Sequence, residues 1–273
     1  MKTVLITGAS SGIGLETALT FFERKWNVVA TMRNPENRRT LLHEKGLPDL
    51  VHLDVMDGSS IRAAIQYTLD KYQGVDVIVN NAGYAVYGPF EATTQEQVMR
   101  QFNTNVFGLM QVTRQLLPLF RQGKGGVLIN IASIGGRIGF PLYTIYNSTK
   151  WAVEGFSEAL QYELKPLNIK VKLIEPGVIK TDFYDRSMDT VDSGEWAEAY
   201  GNFLKRGQKR SGEAALRGAS SPRIVAQAIY RAATDANWRL RYPVGMDAKA
   251  LLFARWLLPE RLFSKLMEKV MLD

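Results

Sequence analysis

The most constraining stretch lies near the start of the chain. Residues 2–7 form an apolar run that reads as a buried strand. Gly8-Ala-Ser10-Ser11-Gly12-Ile13-Gly14 follows, and an amphipathic pattern continues to about Arg24. Strand, glycine-rich turn and helix, in that order, bring backbone N–H groups and a helix N-terminus against a diphosphate. Glycine lets the turn adopt positive φ and lets the backbone come close to a ligand. The same residues also spell G-x-S-x-G, the nucleophile elbow of α/β-hydrolases. That reading requires a histidine late in the chain, and none lies beyond His52.

Further along, strand-like runs alternate with helical patterns. The strands read at 27–32, 49–53, 75–79, 127–133, 169–175 and 239–242; helices read at about 35–45, 59–72, 94–120 and 145–165. Repeated strand–helix alternation predicts an α/β fold, a doubly wound parallel sheet of about seven strands with helices on both faces. A chain of 273 residues fits one such domain, 1–273. The absence of cysteine excludes disulfides, thiol nucleophiles and thiolate metal sites. The only histidines, His43 and His52, join no ligand cluster, so no catalytic metal is expected. No apolar run is long enough to span a bilayer. The first one is too short for a signal peptide, so a cytoplasmic protein is expected. The net charge of +7 is scattered rather than blocked, and no nucleic-acid recognition motif accompanies it. It reads as a solvated surface that also attracts an anionic cofactor.

Chemistry-bearing residues fall at the ends of these elements. On a helix over 145–165, Tyr146 and Lys150 are i and i+4 and share a face. A cation beside a phenol favours the phenolate, so the Tyr146 pKa is expected to fall from ~10 toward neutrality. Ser133 ends a strand, where its hydroxyl can meet a substrate oxygen. Asn105 sits inside a very apolar helix, and a buried asparagine needs partners. Met32-Arg33 ends the second strand, where a dinucleotide's adenosine ribose would lie. An acidic side chain there would bind the 2′-hydroxyl; a guanidinium suits a 2′-phosphate. Asp54, followed by Val55, either accepts from an adenine amino group or caps the helix starting near Ser59. Asn80-Asn81-Ala82-Gly83 ends the fourth strand, where its asparagines can tie neighbouring strands together. Gly155 is expected to permit close helix packing.

Residues 182–221 break the alternation, and long stretches of that kind are commonly functional lids. Phe183, Tyr184, Met188 and Trp196, with Tyr143, would give it apolar walls for a substrate. The tail, about 246–272, carries apolar residues at helical spacing and reads as a helical extension. That extension would form core, a subunit contact or a membrane-surface helix.

Together, Thr7-Gly8-x-x-x-Gly12-x-Gly14, Asp54, Asn80-Asn-Ala-Gly83, Asn105, Ser133, Tyr146-x-x-x-Lys150 and Pro176-Gly177 resemble the short-chain dehydrogenase/reductase family, in order and spacing, over residues 3 to about 181. The resemblance implies a Rossmann-type fold and hydride transfer between a nicotinamide cofactor and a carbonyl carbon. It implies a catalytic tetrad of Asn105, Ser133, Tyr146 and Lys150, with Asn105 ordering a water that relays protons through Lys150. Pro176, Gly177, Val178, Ile179 and Thr181 would lie against the nicotinamide end of the cofactor, with Asn81, Ala82 and Gly83 on its adenosine side. Arg33, helped by Arg38 and Arg39, makes NADP(H) the expected cofactor, with NAD(H) as the alternative. The expected substrate is a hydrophobic alcohol or carbonyl compound, loosely steroid-, retinoid- or aromatic-ketone-like, and the expected assembly a homodimer or homotetramer. A redox-sensing protein that binds the cofactor without turnover, and an epimerase or dehydratase on the same fold, are the competing readings.

Overall fold

The computed structural model describes all residues except 37–39, 182–186, 193, 197, 208–218 and 273. The first half of the chain runs β1 (Thr3–Ile6), α1 (Gly12–Glu23), β2 (Asn27–Met32), α2 (Leu41–Glu44), β3 (Asp49–His52), α3 (Gly58–Tyr72), β4 (Val77–Asn80), β5 (Ala85–Tyr87), α4 (Gln95–Phe102) and α5 (Leu109–Gln122). The second half runs β6 (Gly126–Ile131), α6 (Thr144–Leu164), β7 (Ile169–Pro176), β8 (Met188–Thr190), α7 (198–207), α8 (Pro222–Thr234), β9 (Arg241–Val244), α9 (Met246–Leu257) and α10 (Glu260–Leu272).

Seven strands form one parallel sheet in the order β3-β2-β1-β4-β6-β7-β9. Successive strand residues point to opposite faces, and the sequence supplies apolar side chains for both. Val4 and Ile6, with Val28, Val79 and Ile129, pack under α1 and α8. Leu5, Val29, Ile78 and Leu128 pack under α3, α5 and α6. Full burial of side chains of this size contributes roughly 1.5–3 kcal/mol each. Runs apolar on both faces are what a covered parallel sheet requires.

Several elements differ from the sequence expectation. The second helix begins only at Leu41, because Thr40 and His43 form a capping box there. Asp54 does not cap α3. Asp57 does so, accepting from Ser59 N at 2.8 Å, while Asp54 Oδ1 accepts from Met56 N at 2.9 Å. The helix expected over 94–120 is interrupted by a π-helical turn, Asn103–Gly108, between α4 and α5. The last strand starts at Arg241 rather than at residue 239. Gly155 has no neighbour within 4 Å of its Cβ position, so the close helix packing expected there does not occur within this chain. The tail is two helices, broken at Leu258-Pro259.

In the span 182–221, β8 pairs in parallel with β5, and Asp189 forms an ion pair with Arg100 of α4. Among the described residues, no helix is long and apolar enough to cross a membrane.

Gly14 holds the first turn of α1 against the ends of β1 and β4. A Cβ there would stand 2.5 Å from Asn81 Nδ2 and closer still to the Gly8 carbonyl. Gly14→Ala should therefore cost roughly 1–3 kcal/mol, as overpacking does. Urea denaturation measures this, and a midpoint equal to wild type would refute the tight contact.

Candidate active site

Parallel strands end at one edge of the sheet, and a cavity of about 920 Å³ runs along that edge. Gly8, Ser10, Ser11, Gly12 and Ile13 form one part of its wall. Gly8 and Gly12 have φ of 67° and 54°, the left-handed region that glycine tolerates. Ser11 is the N-cap residue of α1, yet its side chain makes no capping hydrogen bond and the first turn carries no acidic residue. The first N–H groups of α1 are thus left to serve something else.

Next along the edge come Arg33, Asp54 and Val55, then Asn81, Ala82 and Gly83. Thr7 Oγ1 accepts from the backbone N–H of both Asn81 and Ala82, at 3.0 and 3.1 Å. Asn81 Nδ2 donates in return to the Thr7 and Gly8 carbonyls at 3.0 Å each. Deeper in the sheet, Asn80 Nδ2 donates to Asn130 Oδ1 at 2.9 Å, joining β4 to β6.

Ser133, Tyr143, Tyr146 and Lys150 line the same cavity, as do Pro176, Gly177, Val178, Ile179, Thr181 and Met188. Ser133 caps a 3-10 turn, Ile134–Gly136, its Oγ accepting from Gly135 N at 3.0 Å. Lys150 is buried, donates from Nζ to the Ile131 carbonyl at 2.7 Å, and lies 5.7 Å from the centre of the Tyr146 ring.

The electrostatics reverse one expectation. Tyr146 is not pulled toward neutrality. It faces the cavity, but protein crowds it on the other sides, and this desolvation pushes its phenol up to about 12. A hydrogen bond with Ser133 opposes that rise and Tyr143 adds to it. Burial acts on Lys150 in the opposite sense, lowering it to about 8 against the upward pull of Glu154. Desolvation always disfavours the charged form, so it separates an acid from a base in opposite directions.

Three expected site residues stand apart from the cavity wall. Gly14 lies behind the turn. Asn105 is buried within the π-helical turn, where it ties the 83–84 loop to α6. Its Nδ2 donates to the Tyr84 carbonyl at 2.9 Å and to Thr149 Oγ1 at 3.1 Å, and its Oδ1 accepts from Tyr84 N at 3.1 Å. Trp196 sits in a 3-10 turn packed against the turn Phe90–Ala92 rather than at the cavity. Phe183 and Tyr184, with Arg38 and Arg39, lie outside the described residues.

Other wall residues were not anticipated. Tyr87, Phe140, Leu142 and Phe203 line the cavity, with Leu251 and Met271 from the two C-terminal helices. Tyr87 stacks edge-on to Tyr143, ring centres 4.9 Å apart. Asp247, on the first turn of α9, accepts from Val178 N at 2.6 Å and so holds the loop after β7. No local motif marks these residues, because they come from five separate segments. The one available signal was the tyrosine four residues beyond Gly83.

A family model described as short chain dehydrogenase matches residues 2–192. The chain belongs to that family and is an oxidoreductase with an NAD(P)-binding Rossmann fold. It is 36% identical to an uncharacterized oxidoreductase, YusZ, of Bacillus subtilis over 98% of both chains. It is also 36% identical to a 3-ketodihydrosphingosine reductase of Bacteroides thetaiotaomicron, over 93% of this chain and 91% of that one. A short-chain dehydrogenase from Streptomyces avermitilis superposes with TM-score 0.81 at 32% identity, covering 98% and 95% of the two chains. A Brucella melitensis 3-ketoacyl-(acyl-carrier-protein) reductase complexed with NADH gives 0.74 at 26%, covering 89% and 96%. ElxO with NADP bound gives 0.72 at 28%, covering 89% and 97%. Solved relatives thus carry either cofactor.

If burial dominates at Tyr146, its phenolate should be absent until well above pH ~10, the ordinary phenol value. The ultraviolet titration difference between wild type and Tyr146→Phe reads this directly. A phenolate signal appearing near pH 7 would show that the Lys150 cation dominates instead.

Proposed function

We propose that the protein is an NADP(H)-dependent carbonyl reductase acting on a bulky or long-chain hydrophobic ketone or aldehyde, and on the corresponding alcohol in reverse. The observation that carries this reading is the meeting of Ser133, Tyr146 and Lys150 on one wall of a cavity that also takes in the Gly8–Ile13 turn. A nicotinamide dinucleotide fits the residues present. Uncapped N–H groups open α1, and a Cβ at Gly12 would stand 3.4 Å from Thr181, filling the space between turn and loop. Arg33 supplies a cation at the end of β2 for a 2′-phosphate, with NAD(H) the weaker alternative.

When bound, the cofactor supplies the hydride. The chain's own residues manage the proton and the geometry. Ser133 hydrogen-bonds the substrate oxygen. Tyr146, kept as a neutral phenol by burial, donates its proton to that oxygen as negative charge develops on it. Lys150, charged below pH about 8, stabilises the tyrosinate left behind and would help hold the nicotinamide ribose when the cofactor is bound. Asn105 positions the 83–84 loop and α6, and the water relay implied by its family role rests on the same placement. A raised phenol pKa suits reduction, where the group must start protonated.

Apolar walls from Tyr87, Phe140, Leu142, Tyr143, Met188 and Phe203 support a hydrophobic substrate. The relative named for a ketodihydrosphingosine favours a long aliphatic ketone over the steroid- or retinoid-like compounds also considered. The substrate lid expected at 182–221 would include Met188 of β8 and Phe203, which line the cavity.

For assembly, Met99, Phe107, Trp151 and Tyr162 are exposed, and Gly155 has open space before it. An apolar face of that size on α4–α6 supports a two-fold homodimer or homotetramer, and a cytoplasmic enzyme is the reading adopted. Light scattering at micromolar concentration should give a multiple of the 30.7 kDa chain mass; a monomer would refute it.

With a panel of hydrophobic ketones and NADPH, Tyr146→Phe should lower kcat by roughly 10²–10⁴-fold, the usual worth of general acid catalysis. More than a tenth of wild-type activity would remove Tyr146 from the proton role. Charge-assisted hydrogen bonds contribute ~1.5–3 kcal/mol, so NADPH should be preferred over NADH by about ten- to a hundred-fold. Arg33→Ala should narrow that ratio; an unchanged ratio would show that the phosphate is read elsewhere.

A further inference from the structure

A buried ion cluster lies behind Lys150. Glu154 is one helical turn further along α6. Its Oε2 accepts from Arg241 Nε on β9 at 3.0 Å, while its Oε1 is buried with no hydrogen-bond partner among the described residues. Arg241 also lies 3.5 Å from Glu175 Oε1 on β7 and donates outward to Glu158 Oε2 at 2.6 Å. Arg137, just past the Ser133 turn, donates to the same Glu175 oxygen at 3.2 Å. Gly136 lets that turn rest on α6, since a Cβ there would stand 2.9 Å from both Glu154 Cγ and the Lys150 carbonyl. The charged groups facing Glu154 are thus Lys150 and Glu158 on its own helix, Arg137 on the turn, Glu175 on β7 and Arg241 on β9.

We propose that Glu154, held by Arg241, is a positioning residue for the proton-transfer site: its carboxylate, buried one turn from Lys150, sets whether that lysine is charged. The proposal rests on the carbonyl-reductase reading for its catalytic consequence, though not for the ionic linkage itself. No member of the cluster other than Lys150 lines the cavity, so Glu154 acts through Lys150 and not on substrate.

The physical reason is the low effective dielectric of the site. Three carboxyl groups, Glu154, Glu158 and Glu175, face Arg137, Arg241 and Lys150, so losing an anion from the buried end leaves Lys150 with less support. Burial, with repulsion from Glu175, pushes Glu154 up to about 8, while Arg241 and Arg137 oppose the rise. Lys150 is brought down to the same region, with Glu154 resisting the fall. At higher pH the cluster loses protons, Lys150 loses its charge, and reduction should slow.

The test is the pH profile of kcat/KM for reduction of a hydrophobic ketone with NADPH. Wild type should lose activity as pH rises through about 8. Glu154→Gln removes the anion that supports the ammonium, so the alkaline limb should move down by about one pH unit, the lower end of what a nearby opposite charge does. Arg241→Gln, which leaves Glu154 protonated to higher pH, should move it the same way, and the double variant should move it no further than Glu154→Gln alone. Glu158→Gln, at the exposed end of the cluster, should leave the limb in place. A purely structural role for Glu154 would lower kcat or stability without moving the limb, and that result overturns the proposal.

A second measurement works without turnover. The Lys150 Cε resonance of lysine-labelled protein, assigned with Lys150→Met, should titrate at lower pH in Glu154→Gln, or in Arg241→Gln if Glu154→Gln does not fold. An unshifted midpoint overturns the linkage. Absence of carbonyl turnover by wild type would sink the catalytic reading alone.

Discussion

Parallel pairing of β1 with β4, β4 with β6 and β6 with β7 is the constraint on which the rest of the molecule depends. It sends all four strands out of the sheet at one edge, so the turns that follow them become neighbours. Thr7, Asn81 and Ser133 follow three of these strands, and the two hydrogen bonds to Thr7 Oγ1 lock the first pair of turns together. The glycines at 8 and 14 allow that approach, because a side chain at either position would collide with Asn81 or Ala82. An antiparallel partner in place of any of these strands would carry its turn to the far edge.

Burial governs the chemistry of this edge more than pairwise charge does. Tyr146 and Lys150 share a helix face, as i and i+4 spacing demands, yet the phenol rises and the ammonium falls. The lysine donates to the Ile131 carbonyl, and its Nζ lies 5.7 Å from the centre of the Tyr146 ring. The result is a phenol that stays protonated at neutral pH and a cation close to losing its charge. Under the function proposed above, such a pair would suit reduction.

The apolar end of the cavity is assembled differently. Its walls come from the ends of β5 and β8, the segment before α6, α7 and the two C-terminal helices. The ion pair from Asp189 to Arg100 fastens β8 to α4, and Asp247 fastens α9 to the loop after β7. These contacts cross large sequence separations, so this end of the site depends on tertiary packing of distant segments. Shape and apolar character here can change without disturbing the strand-end turns.

The period-two and period-3.6 patterns determined much of this. They set the seven strands of the main sheet and their alternation with helices, and glycine spacing set the turn after β1; the small β5–β8 pair left no such pattern. They also set the tyrosine–lysine face of α6 and the serine after β6. Each is a local property: alternation, glycine conformation and helical spacing act over a few residues. What only tertiary structure decided is how far burial outweighs charge at Tyr146, that Asp57 rather than Asp54 caps α3, and that Asn105 spends its amide on Tyr84 and Thr149. It also brought Tyr87, Phe203 and Met271 to one cavity and stacked Glu154, Glu175, Arg137 and Arg241 behind Lys150. Those outcomes depend on desolvation and on contacts between distant segments, and neither quantity exists until the chain has folded.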